Sequence, residues 1–179
     1  MIYLFLAEGF EETEAIAPLD LLRRAGAEVK TVGVGGKRIT GSHGIEVTAD
    51  LEEDQIDLQN VEMVILPGGM PGTRNLENSP MVRASIGYCS QNGKKIAAIC
   101  AAPSILGHMD LLSGHSAVCF PGYEKDLTGA EVKRDPVCVS GNIITARGAG
   151  VAIPFGLKLV ELLFGKRKSD EIKEKVQCV

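Results

Sequence analysis

Of the five cysteines in the chain, Cys100 alone stands where an apolar run stops and a helical pattern starts, in Lys95-Ile96-Ala97-Ala98-Ile99-Cys100-Ala101-Ala102-Pro103-Ser104-Ile105-Leu106. The run before it is short, has no internal polar residue and follows Gly93, which suits a strand buried on both faces of a parallel sheet. Pro103 falls where the first turn of a helix accepts proline. Ala98 and Ala102 lie two positions either side of the cysteine, so the pattern copies the G-x-S-x-G nucleophile elbow, with alanine for glycine and cysteine for serine. A thiol at the amino end of a helix is ionised more easily, because unpaired N–H groups and the helix dipole favour the thiolate; such thiols titrate at roughly 3.5–7.5 instead of about 8.5. The context therefore predicts a nucleophilic Cys100 with a lowered pKa.

Few other side chains are placed to assist it. Glu14 follows the first apolar run, and an ionised carboxylate beside Cys100 would raise the thiol pKa. Glu14 helps only if it is protonated and donates a hydrogen bond, or if it works as an acid/base. From spacing alone it reads as an ordinary acid at a helix start. The turn Pro67-Gly68-Gly69-Met70-Pro71-Gly72 leaves main chain bare, so the amides of Gly68, Gly69 and Ala101 are candidates for an oxyanion pocket, although a plain turn explains the glycines as well. His43, His108 and His115 show no metal-ligand spacing, and no metal or cofactor is expected. Arg147-Gly148-Ala149-Gly150 lacks both the G-x-G-x-x-G pattern and a phosphate-loop lysine, and reads as a packed turn.

The elements that must position these groups alternate. Ile2 to Ala7 reads as a buried strand, followed by a helix with Ile16, Leu19, Leu21 and Leu22 toward the core and Gly26 at its end. Pro18 removes a hydrogen bond at the carbonyl of Glu14, so this helix is expected to kink there or begin later, leaving Glu14 on irregular backbone. Glu28 to Val34 is a second strand, Arg38 to Thr48 a hairpin or edge excursion, Leu51 to Gln59 a solvated segment, and Val61 to Leu66 a further strand. Helix returns over Ser79 to Gln91. After Cys100, a helix over Ser104 to Leu112, a strand over Ser116 to Phe120 and two strands about Ser140-Gly141-Asn142 are expected. A long amphipathic helix through Ile153, Leu157, Val160 and Leu163 and a charged peripheral helix close the chain. This alternation implies a parallel sheet with helices on both faces, and in such folds sites lie beyond the carboxyl ends of strands. Glu14, Gly68-Gly69, Cys100 and Arg147-Gly148 all fall there.

A chain of 179 residues with 45% apolar residues suits a single globular domain spanning 1–179. Its net charge of −4 gives no global attraction to nucleic acid or to an anionic membrane, and neither is expected as a partner. The apolar run Ile2 to Ala7 lacks a basic flank and meets Glu8 at once, unlike a signal peptide. Scattered cysteines, odd in number, suit a reducing cytoplasm better than a disulfide framework.

At several points the residues resemble the ThiJ/PfpI family, the superfamily of the parkinsonism-associated deglycase. The matching pieces run in order over nearly the whole chain: Ala7 to Glu14, Leu19 to Gly26, Leu66-Pro67-Gly68-Gly69, Ala97 to Pro103, and Thr145 to Gly150. The resemblance implies a flavodoxin-like three-layer α/β/α sandwich, usually a homodimer, with the elbow cysteine in strained backbone. It matches Cys100 to the family's reactive cysteine and Glu14 to its protonated glutamate partner. Two positions depart from the pattern. Ala101 stands where protease-like and many deglycase-like members have histidine, and Phe120-Pro121 stands where the parkinsonism-associated branch has histidine-proline. Arg147 keeps its place in the pocket motif. His43 lies in a segment that approaches the pocket across the dimer in relatives, and is the best substitute histidine.

The resemblance implies cofactor-free, glutathione-independent handling of small α-oxoaldehydes such as methylglyoxal, slow for want of the usual histidine. A sensor or protective protein that takes up peroxide at Cys100 is the alternative. Peptidase or amidase activity is the least favoured, because Ala101 replaces a histidine.

Overall fold

The computed structural model describes residues 1–178. In chain order its elements are β1 (Ile2–Leu6), α1 (Glu12–Ala25), β2 (Val29–Gly33), β3 (Arg38–Thr40), β4 (Glu46–Thr48), β5 (Leu51–Glu52), β6 (Met63–Leu66), α2 (Gly72–Asn78) and α3 (Pro80–Gln91). They continue with β7 (Lys95–Ile99), α4 (Pro103–His108), β8 (Ser116–Ala117), β9 (Glu131–Val132), β10 (Val137–Ser140), β11 (Ile143–Ala146), α5 (Ala152–Phe164) and α6 (Lys166–Lys175).

Seven strands form one sheet in the order β10-β11-β7-β6-β1-β2-β5, parallel except for the β10–β11 hairpin at one edge. Apolar β1 explains why it is central. Its Ile2, Leu4 and Leu6 face one core with Leu22 of α1, Phe155 of α5 and Ile172 of α6; its Tyr3 and Phe5 face the other with Leu76 of α2, Ile86 of α3 and Leu106 of α4. Side chains alternate along a strand, so a run with no polar residue needs cover on both sides, and the helices supply it. This is the flavodoxin-like α/β sandwich.

The register fixes where the site must be. Leu4 pairs with Ile65, Leu66 with Ala98 and Ala146 with Ile99, so β1, β6, β7 and β11 all end at one edge. The segments carrying Glu14, Gly68, Cys100 and Arg147 leave from that edge.

Several expectations need correction. Helix α1 runs unbroken from Glu12 with Pro18 inside it, so Glu14 is on helical backbone in the first turn. The proline forfeits one hydrogen bond and packs against α5. A Cβ on Gly156 would stand 2.8 Å from the Pro18 Cα, so α1 and α5 meet at van der Waals distance there. Ile16 and Ile153, expected to face inward on these two helices, are 39% and 42% exposed. The Leu51–Gln59 segment begins with β5, which extends the sheet by pairing Leu51 with Val32. Helix α2 begins at Gly72, the last residue of the expected turn, and fills a stretch for which the sequence suggests no element. Helix α4 stops at His108, short of Leu112, and the strand at Ser116 ends at Ala117.

Candidate functional site

Cys100 has φ +67°, in the left-handed region that an L-residue with a Cβ enters only at a cost. Two main-chain bonds hold it there. Its N–H donates to the Ala146 carbonyl at 2.9 Å, continuing the β7–β11 ladder, and its carbonyl accepts from the Phe120 N–H at 2.8 Å. The small neighbours Ala101 and Ala102 are buried, as the tight strand-to-helix turn requires.

Glu14 reaches this turn from α1 and is 1% exposed. Its Oε2 accepts the Gly68 N–H at 2.9 Å, and its carboxyl is hydrogen-bonded to the Cys100 thiol and to the Ala149 main chain. Gly68 has to be glycine. A Cβ there would lie 2.6 Å from both Glu14 Oε2 and Cys100 Cβ and 3.1 Å from Cys100 Sγ. The expected oxyanion donors therefore divide. The Gly68 amide is committed to Glu14 and is withdrawn from that set, while the amides of Gly69 and Ala101 act on the sulfur in favour of its thiolate.

Burial pushes the Glu14 carboxyl up to about 7, against the opposing hydrogen bonds from Cys100 and Gly68, with Glu11 adding to the rise. Burial, then the charge of Glu14 and the hydrogen bond to it, push the Cys100 thiol up to about 12, with the Ala101 and Gly69 amides opposing. The lowered thiol pKa expected from the helix terminus is thus not found. Helix α4 begins three residues beyond the sulfur, and its dipole is outweighed by desolvation and the facing carboxylate. The two groups form one system. When Glu14 is protonated its charge disappears and its O–H faces the sulfur, so two of the three causes that raise Cys100 depend on the ionisation of Glu14.

The remaining expected positions separate. Phe120 is 47% exposed, and a Cβ on Gly148 would stand 3.2 Å from its ring and 3.8 Å from Glu14 Oε1, so Gly148 separates the phenyl group from the carboxyl at the position where the family resemblance expects histidine. Arg147 is exposed, one residue from the Ala146 carbonyl that holds Cys100. His43 binds elsewhere: its Nδ1 lies 2.9 Å from Glu12 Oε2 and 3.4 Å from Glu11 Oε2. Among the described residues no hydrogen bond joins His43 to Cys100 within the chain. His108 pairs with Glu77 at 2.6 Å, and His115 with the Ser140 carbonyl at 3.0 Å.

Glu12 went unremarked in the sequence. It is 6% exposed and accepts from the His43 N–H at 2.7 Å and the Ile45 N–H at 3.4 Å. Burial alone would raise its pKa, but these bonds and the His43 ring hold it down at about 2. It ties the β3–β4 hairpin to α1. Only the mixed character of the Glu11-Glu12-Thr13-Glu14 run hinted at this, since nothing in its spacing tells a buried acid from a solvated one. Glu11, Glu12 and His43 offer ligand atoms within 4.8 Å of one another, but the Glu12 carboxylate is already occupied by the hairpin amides. Burial also raises the thiols of Cys89 and Cys119 to about 11 and raises that of Cys138.

Comparison with known proteins bears on the family and the fold. The family model described as DJ-1/PfpI family matches residues 1–162. Protein dj-1beta of Drosophila melanogaster is 36% identical over 170 residues, covering 93% of this chain and 91% of that protein. The glutathione-independent glyoxalase DJR-1.2 of Caenorhabditis elegans is 29% identical over 167 residues, covering 92% and 89%. The chain spans 44% of the longer Protein DJ-1 homolog A of Arabidopsis thaliana, at 36% identity. The solved structure of oxidized Toxoplasma gondii DJ-1 superposes with a TM-score of 0.95 at 34% identity, covering 98% of this chain and 97% of the other. No helix of the described residues is long and apolar enough to cross a membrane. With a family model matched over residues 1–162 and a relative 36% identical over nearly its whole length, the chain belongs to the DJ-1/PfpI family.

Proposed function

We propose that the protein converts small α-oxoaldehydes such as methylglyoxal to 2-hydroxy acids, with Cys100 as nucleophile and Glu14 as proton carrier. The observation that carries this reading is the Glu14–Cys100 pair: a carboxyl raised to about 7 can hold or release a proton near neutral pH, and it is hydrogen-bonded to the thiol. The thiol adds across the aldehyde C1=O, forming the S–C1 bond and a hemithioacetal. A proton leaves C1 and returns at C2 through an enediolate, so C1 is oxidised as C2 is reduced. Water then cleaves the S–C1 bond of the resulting thioester, releasing the hydroxy acid and restoring the thiol. Glu14 moves the proton, and the Gly69 and Ala101 amides hold the developing oxyanion. No external oxidant, glutathione or metal enters this balance. The name of the nematode relative supports the substrate class. Methylglyoxal consumption by the wild type and by Cys100→Ser tests the reading; equal rates would end it.

A second reading uses the same sulfur with peroxide. One equivalent of hydrogen peroxide converts the thiol to sulfenic acid and water, and a second gives sulfinic acid and water. What favours it is the amide pair of Gly69 and Ala101 beside Glu14, donors suited to an oxidised sulfur, together with the oxidized state named for the Toxoplasma relative. Peptide mass spectrometry after peroxide titration separates the two: the redox reading requires Cys100 to be oxidised before Cys89, Cys119, Cys138 and Cys178.

A further inference from the structure

A cleft of about 610 Å³ opens beside the elbow, and its walls are built on the same bonds that hold Cys100. Cys119 and Pro121, which flank Phe120, line it; the Phe120 N–H donates to the Cys100 carbonyl. Arg147 lines it too, and the residue before it supplies the carbonyl that accepts the Cys100 N–H. The cleft therefore abuts the backbone of the elbow, through the neighbours of Phe120 on one side and Arg147 on the other.

The charge of this cleft is one-sided in an otherwise acidic chain. Lys133, Arg134 and Arg147 line it against a single carboxylate, Glu124. Glu124 is turned to a main-chain partner, accepting the Gly122 N–H at 2.7 Å, and Lys133 is paired with Glu131 at 2.5 Å. Arg134 and Arg147 make no side-chain hydrogen bond or ion pair with any described residue. Two guanidinium groups with unused donors lining one concavity match the planar geometry of carboxylate or phosphate.

We propose that the cleft binds the anionic tail of the substrate, so that the aldehydes delivered to Cys100 are α-oxoaldehydes carrying a phosphate or a carboxylate. This rests on the reaction proposed above and adds a specificity that methylglyoxal, which is neutral, cannot reveal. The chemistry at the sulfur is unchanged: the reacting carbonyls are C1 and C2, and the tail on C3 stays intact.

Calorimetric titration with phosphoglycolate, which carries both anions and no aldehyde, tests the site without turnover. The wild type binds it; Arg134→Gln and Arg147→Gln each weaken binding about tenfold or more, the loss expected for a charge-assisted hydrogen bond, and Arg147→Lys restores part of it. Inorganic phosphate and glycolate, titrated separately, tell which anion the guanidinium groups prefer. In turnover, the ratio of kcat/KM for hydroxypyruvaldehyde phosphate to that for methylglyoxal falls in both glutamine variants. Phosphoglycolate binding that is absent, or unchanged by both substitutions, overturns the anion site whatever the turnover. Failure to consume either aldehyde, with arginine-dependent phosphoglycolate binding intact, overturns the proposed reaction and leaves the anion site standing.

Discussion

The main chain of Gly68 and the carboxyl of Glu14 are joined by a 2.9 Å hydrogen bond at a point where no side chain fits between Glu14 and Cys100. Gly68→Ala inserts a methyl group 2.6 Å from each partner. Overpacking of this kind costs about 1–3 kcal/mol. Chemical denaturation should show that loss, and the larger effect should be on chemistry, because the methyl group displaces the carboxyl from the thiol. Methylglyoxal turnover falling no further than the stability change predicts would contradict this account.

Glu14→Gln should separate thiol reactivity from catalysis. It removes the charge that helps raise Cys100 to about 12, so alkylation by iodoacetamide at pH 8 should accelerate. Aldehyde turnover should instead drop by roughly 10²–10⁴, the usual contribution of an acid/base group. Stability supplies a second readout. A carboxyl raised in the folded state to about 7, from an ordinary value of 4.5, contributes stability that is full below 4.5 and is lost as pH rises through about 7. The difference between wild type and Glu14→Gln should therefore vary across that window and level off on either side.

The left-handed backbone at Cys100 predicts an inverted ranking of small residues. Glycine normally destabilises ordered structure relative to alanine, but at φ +67° alanine carries the steric cost and glycine does not. Cys100→Gly should be more stable than Cys100→Ala by about 1–2 kcal/mol in urea titration. The reverse order would mean that the elbow relaxes when the thiol is removed.

Phe120→His should increase turnover. The ring lies across Gly148 from Glu14, is half-exposed and is anchored through its own N–H to Cys100, so an imidazole there enters the neighbourhood of the pair without disturbing the core. A positioned base contributes roughly 10²–10⁴-fold, and a rise in kcat with an acidic limb near the imidazole pKa is the expected signature.

The homodimer implied by the family resemblance predicts a solution mass twice the 19.0 kDa of the chain. Ile16, Ile45 and Ile153 are exposed at 39%, 57% and 42%, on α1, the hairpin tip and α5. Introducing lysine at Ile16 and Ile45 together should give the monomer mass in sedimentation equilibrium if these residues form the contact.

Much of the fold was legible because β1, β6 and β7 carry apolar runs that only a doubly covered sheet satisfies. The elbow was legible because proline and alanines at fixed offsets from Cys100 have few other uses. Helix boundaries and facing were less so: Pro18 argued against a continuous α1, and only the tertiary contact with Gly156 shows why the helix tolerates it. The thiol pKa departs from its local expectation for the same reason. Local sequence reports the helix terminus next to Cys100, whereas burial and the proximity of Glu14, 86 positions earlier, arise from the sheet register. Glu12 and the paired state of His43 are likewise products of the hairpin folding onto α1, which no short-range pattern encodes.

The backbone at Cys100 sets folding and reactivity against each other at a single position. Thermodynamic selection alone would move that residue toward glycine, which fits the turn and gives up only the contact of one partly buried thiol with the core. A chain relieved of its chemistry should therefore drift there first, making residue 100 the place where loss of duty in a descendant of this protein would be written earliest.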